Sequence, residues 1–105
     1  MKVLFDQGTP VPLRQHLSLH QVTTVYELAW NTLQNGLLIA QAEAAGFDVL
    51  VTTDRSWKYQ QNLKERRLAV VVLLSTSWPK IQTKVSEVVR VIGEAAVGTY
   101  SEVEI

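Results

Sequence analysis

The sequence predicts an α/β protein: a three-layer α/β/α sandwich with a mostly parallel central sheet of about five strands. Three observations predict it. Short apolar runs alternate with helix-like segments in the order β-α-β-α-β-α-β-α-β, the pattern of parallel strands joined by right-handed crossovers. The run Leu68 to Leu74 is almost continuously apolar and rich in valine, as a strand buried on both faces requires. A chain of 105 residues, 47% hydrophobic, matches one compact domain around a single core.

Lys2 to Phe5 reads as the first strand, and Gly8-Thr9-Pro10 with Pro12 makes a turn into a short helix around Leu13 to Leu17. Val22 to Val25 reads as a second strand with a polar or helical tail near Tyr26 to Ala29. Leu38, Ile39, Ala42 and Ala45 then recur at helical spacing, with Asn35 suited to cap the start and Gly46 to end it. Phe47 to Val51 reads as a buried strand, and residues 55–67 as a polar, basic, partly helical crossover. Leu68 to Leu74, bounded by Ser75-Thr76-Ser77, belongs at or beside the sheet centre. Pro79 suits a first helical position, and Ile81, Val85, Val88, Val89 and Ile92 hold one face of a long helix before Gly93. Thr99 to Ile105 alternates as an edge strand. No repeat, low-complexity tract or linker interrupts this order, so a single domain is expected over 1–105.

Composition removes several classes of function. Without cysteine there is no disulfide, thiolate zinc site or cysteine nucleophile. No apolar run approaches the roughly 20 residues that span a bilayer, and no signal-like stretch precedes the first strand, so a cytoplasmic protein without a membrane partner is expected. Ten Lys/Arg balance ten Asp/Glu, which gives no general attraction to nucleic acid. Any such attraction must be local, and Arg55, Lys58, Lys64, Arg66 and Arg67 fall together with only Glu65 opposing them. His16 and His20 have no Asp or Ser at catalytic spacing, and neither a Gly-rich phosphate loop nor a Walker motif is present. Lys80 and Lys84 are expected on the exposed face of the last long helix.

The chemical signal is a pair of carboxylates. Asp6 and Asp54 each follow an apolar run, Val3-Leu4-Phe5 and Val49-Leu50-Val51, so two parallel strands would bring them to one crevice. Open α/β sheets bind ligands outside the carboxyl ends of their strands, and paired hard oxygens there favour Mg²⁺ or a similar cation. Ser75 and Thr76 end the fourth strand and can cap the next helix. Arg55 and Lys58 can hold a nucleic-acid backbone and Trp57 can stack a base, although Trp57 and Tyr59 are equally suited to pack onto the core. Exposed Trp30 and Trp78 are pointers to an interface.

The opening Val3-Leu4-Phe5-Asp6-Gln7-Gly8-Thr9-Pro10, the helix start Asn35-Gly36-Leu37-Leu38, the stretch from Ala42 to Thr52-Thr53-Asp54 and the later Gln60-Gln61-Asn62 together resemble small bacterial PIN-like proteins, relatives of toxin-type PIN ribonucleases. The resemblance implies a metal-dependent nuclease in which acidic side chains hold Mg²⁺ or Mn²⁺ against RNA phosphate, with Asp6 and Asp54 as matching positions and Ser75 and Thr76 where relatives place a further polar or acidic group, able to orient water or phosphate. It also implies a small antitoxin-like partner and a homodimer. One position departs: the family usually carries Asp or Glu where this chain has Leu37, which cannot ligate metal. Glu43 is no substitute, lying about 9 Å further along the helix axis. The departure makes a two-metal site doubtful and opens a second reading, an impaired PIN-like fold acting as a binding or regulatory protein. A third, receiver-like phosphoacceptor would also use Asp6, Asp54 and Ser75 or Thr76, but Asp6 is followed by Gln7 and no lysine ends the last strand.

Overall fold

The computed structural model describes residues 1–59 and 65–105. Five strands, β1 (Lys2–Phe5), β2 (Gln21–Thr24), β3 (Val49–Thr52), β4 (Ala69–Leu73) and β5 (Tyr100–Val103), form one sheet of order β2-β1-β3-β4-β5. Every neighbouring pair is parallel, so the sheet is wholly rather than mostly parallel. All residues of β3 and β4 are buried, which explains why these two runs lack polar alternation. The edge positions of β2 and β5 account for their more polar sequences.

Successive side chains of a strand point to opposite faces, and here they feed two separate cores. Val3, Phe5, Val49, Val51, Val71 and Leu73 pack with Leu13 and Leu17 and with Ile81, Val88 and Ile92. These partners come from a 3₁₀ segment, Val11–His16, its flanking Leu17, and two helices, α2 (Trp78–Gln82) and α3 (Val85–Gly93). Leu4, Leu50, Val70 and Val72 pack instead with Leu38, Ile39 and Ala42 of helix α1 (Asn35–Ala44) and with Trp57 of a second 3₁₀ segment, Arg55–Tyr59. Helical segments therefore cover both faces of the sheet.

That placement corrects the expectation of uniformly right-handed crossovers. The steps β1 to β2 and β4 to β5 run in opposite directions across the sheet, yet both connections pack on the same face. They are therefore of opposite hand, while β2 to β3 and β3 to β4 share the hand of the first. Because Trp57 and α1 fill the other face, α2 and α3 settle beside Val11–His16, where Trp78 meets the ring of His16 at a centroid distance of 5.9 Å.

Several local expectations change. Gln34, in extended conformation, precedes α1 without a side-chain cap, and Asn35 is already helical. The far end is as expected. Gly46 (φ +82°) closes a Schellman motif, with Gly46 N–H donating to the Glu43 carbonyl and Phe47 N–H to that of Ala42, both at 3.0 Å. Lys2 adds a charge there, its ammonium reaching the Ala45 carbonyl and sitting 4.6 Å from the Phe47 ring centroid. The expected long helix after Pro79 is two helices, because the Thr83 hydroxyl donates to the Lys80 carbonyl at 2.7 Å and Lys84 leaves helical geometry. Trp30 and Trp78 are half-buried against the two cores, Trp30 edge-on to Phe47, so neither marks an exposed interface. Among the described residues no helix is long and apolar enough to cross a membrane.

Between β2 and α1 the chain makes tight turns rather than a helical tail, and Ala29 adopts φ +57° to do so. A left-handed conformation costs an L-residue roughly 1–2 kcal/mol that glycine avoids, partly offset by glycine's freer unfolded chain. Ala29→Gly should therefore raise unfolding free energy by about 0.5–1 kcal/mol, seen as a higher denaturant midpoint at unchanged slope.

Candidate functional site

The strand order places a topological switch point between β1 and β3. The connection leaving β1 runs to β2 over one face, and that leaving β3 runs to β4 over the other, which is the position where open α/β sheets carry ligand sites at their carboxyl ends. Asp6 follows β1 immediately, its N–H donating to the Val51 carbonyl at 2.9 Å, and Asp54 stands two residues beyond β3. A turn straps the β1 loop to β3: Thr9 N–H donates to the Asp6 carbonyl at 3.1 Å, and the buried Thr9 hydroxyl to the Val51 carbonyl at 2.9 Å. Gly8, at φ +88°, passes so close that a Cβ would lie 2.8 Å from Thr53 Oγ1.

Thr52 joins the two acids. Its wholly buried hydroxyl donates to Asp6 Oδ2 at 2.8 Å and accepts the Asp54 N–H at 3.0 Å. The Trp57 indole N–H is a second donor to Asp6 Oδ2, at 3.2 Å, and Gln7 N–H donates to Oδ1 at 2.8 Å. Asp54 Oδ1 accepts the Ser56 N–H at 2.9 Å and so caps the 3₁₀ segment. A carboxylate oxygen accepts about two hydrogen bonds, so Oδ2 of Asp6 is saturated while Oδ1 keeps one acceptor position. Oδ2 of Asp54 has no partner among the described residues.

The neighbouring strand end brings the remaining candidates. Arg55 donates from Nη2 to the Leu74 carbonyl at 3.2 Å, which carries a guanidinium from the β3 loop to the end of β4. Ser75 accepts the Ser77 N–H at 3.0 Å, and Ser77 caps α2, so Ser75 supports a helix start, with exposed Thr76 between them. Trp57 is corrected as a base-stacking residue, because its side chain is 0% exposed and has no free face. The side chain of Lys58 and the residues Gln60-Gln61-Asn62 and Lys64 lie outside the described residues. Leu37, 53% exposed, stands in the first turn of α1. Glu43 belongs to the opposite end of the sheet, bonded to Arg66 at 3.0 Å and to Arg67 N–H at 2.7 Å ahead of β4. His16 is exposed, and His20 faces the terminal amine of Met1 at 3.3 Å, so neither joins the crevice.

Sequence reasoning located both acids and Thr52 as the threonine of Thr52-Thr53-Asp54, but gave Thr52 no role and missed the Trp57–Asp6 bond. A threonine directly after Val49-Leu50-Val51 is the one signal available, a polar side chain in a strand with no solvent-facing side. Among the described residues no group of three or more His, Cys, Asp or Glu could hold a metal ion. Two carboxylates are the number Mg²⁺ accepts beside its waters, and they are too few for a two-ion cluster. No protein-family model, curated protein or solved structure matches this chain.

Gly8→Ala should cost about 1–3 kcal/mol in denaturant unfolding, since the new Cβ meets Thr53 and the backbone is left-handed. Glu43 supplies a pH test. Burial opposes its ionisation, but the Arg67 N–H and the Arg66 guanidinium outweigh that and hold its carboxyl below the ordinary 4.5. Its contribution is therefore present above that value and lost as pH falls toward the lowered folded one. Glu43→Gln should remove about 1 kcal/mol at neutral pH and flatten the acid limb of the stability profile.

Proposed function

We propose that the chain is a PIN-like domain of ribonuclease lineage that holds RNA phosphate in the carboxyl-end crevice through a single Mg²⁺ or Mn²⁺ ion. The observation that carries this reading is the Thr52 hydroxyl, which ties Asp6 to the start of the Asp54 loop at the sheet's switch point. Asp6 would ligate through Oδ1 and Asp54 through Oδ2, the oxygens with acceptor capacity left. Arg55, anchored on the Leu74 carbonyl by one nitrogen, would pair with a phosphate oxygen through its remaining donors. When bound, the ion supplies a Lewis acid for the phosphoryl oxygen and a more acidic water. The hydroxyl of Thr76, exposed on the adjacent strand end, would orient that phosphate.

A second reading keeps the binding and drops the hydrolysis. It is favoured by Leu37 and by the lack of a third acidic ligand among the described residues. The receiver-like reading is weaker. The strand order suits it, but the opposite hand of the β4 to β5 crossover and the Val103-Glu104-Ile105 ending do not.

Calorimetric titration with Mn²⁺ of the native chain, Asp54→Asn and Leu37→Glu, with RNA cleavage followed in parallel, separates these cases. Binding should weaken at least about tenfold in Asp54→Asn and tighten in Leu37→Glu, which adds a carboxylate at a helix start. Cleavage by the native chain supports the nuclease, and cleavage only in Leu37→Glu supports the impaired fold. Negligible heats in all three would end the metal reading.

A further inference from the structure

We propose that Asn35-Gly36, at the start of α1, is a site of spontaneous backbone modification, where the Gly36 nitrogen attacks the Asn35 side chain in the folded protein and converts it to aspartate and isoaspartate. The inference is independent of any cation reading and rests on two reacting groups that the fold leaves unengaged.

The first N–H groups of a helix have no intrahelical acceptor and are ordinarily met by a capping side chain. Here Gln34 makes no side-chain cap, and the first backbone bond into the helix is Leu38 N–H to the Gln34 carbonyl at 2.8 Å. Among the described residues, the Gly36 N–H therefore has no acceptor and the Asn35 carboxamide no partner. Gly36 is exposed, and a Cβ built there would meet nothing within 4 Å beyond its own helical turn. Attack requires Asn35 to leave helical geometry. That motion is easiest in an uncapped first turn that contains a glycine, and Leu37, 53% exposed, adds little packing to resist it. The other asparagines, Asn31 and Asn62, are followed by Thr32 and Leu63, whose side chains crowd the nitrogen that would attack.

In the first step the Gly36 nitrogen bonds to the side-chain carbonyl carbon of Asn35 and gives up its proton. The carbon–nitrogen bond of the carboxamide breaks, and ammonia leaves behind a cyclic succinimide. Water then opens the ring at either carbonyl. One opening gives aspartate, and the other gives isoaspartate, whose backbone runs through the former side chain. Both products add a negative charge to a chain of zero net charge. Aspartate in the first turn faces the open N–H groups and the positive end of the helix, so α1 keeps its start. Isoaspartate lengthens the backbone by a methylene, and the first turn is lost.

The test is incubation of the folded full chain at mildly alkaline pH, with peptide mapping by mass spectrometry for the mass gain of an amide-to-acid change and isoaspartyl methyltransferase labelling to separate the two products. A guanidinium-unfolded sample gives the reactivity of the bare dipeptide. Conversion in the folded chain should be at least about tenfold faster at Asn35 than at Asn31 or Asn62, and Gly36→Ala should slow it at least about tenfold, since a Cβ hinders ring closure. Asn35→Gln should abolish it within the same incubation. Hydrogen exchange reads the consequence for α1: the isoaspartate fraction should lose protection at the Leu38 N–H, whereas Asn35→Asp, which carries the charge on a normal backbone, should keep it. The proposal is overturned if the unfolded chain converts and the folded chain does not, since α1 then locks the site. It is equally overturned if Asn31 and Asn62 convert as fast as Asn35, or if Asn35 is unchanged in both samples.

Discussion

Divergence of the chain at the β1–β3 junction is the constraint on which the rest of the molecule depends. Two central strands lie side by side, but their exits run in opposite directions across the sheet and over opposite faces. Strand-end residues at that junction are only partly covered. Asp6 is half-buried and Asp54 exposed, although the strands beneath them are fully buried.

Packing sets the position of the donors. Burying an indole that removes 150–250 Å² from water stabilises by several kcal/mol, against roughly 1.5–3 kcal/mol for a hydrogen bond to a charged group. The core therefore decides where Trp57 sits, and Asp6 conforms to it. The same holds for Thr52, whose backbone is fixed by pairing with Val72 of β4 and whose side chain has no exit to solvent. Supports of this kind leave the Asp6 side chain little rotational freedom.

Most of the sheet was legible because its signals are local. Continuous apolar runs at β3 and β4, alternation at β5, and Gly46 after a helical stretch each follow from a few adjacent residues. The break between α2 and α3 was not, since Val85, Val88 and Ile92 continue the apolar face past Thr83, and only a hydroxyl back-bonded to the Lys80 carbonyl interrupts it. Crossover hand was also hidden, because it is decided by which face α1 and Trp57 already occupy. At the site, the two acids stood out by their place after strands. Their bridge did not, because Thr52 reads as an ordinary strand residue and Trp57 as part of a polar, basic segment. Burial of a ring in one core is a tertiary fact, and periodicity over so short a stretch does not carry it.

The basic run shows how strongly topology reshapes a sequence pattern. Arg55 to Arg67 is one cluster along the chain, but a crossover between parallel strands must return from the carboxyl end of the sheet to the amino end. Arg55 accordingly meets the end of β4 at Leu74, while Arg66 and Arg67, just ahead of β4, bond Glu43 at the far end of α1. Of the described cations in that run, Arg55 thus stands at one end of the sheet and Arg66 and Arg67 at the other, with Arg66 paired to Glu43. With zero net charge, the field of the whole protein offers an anion no long-range attraction.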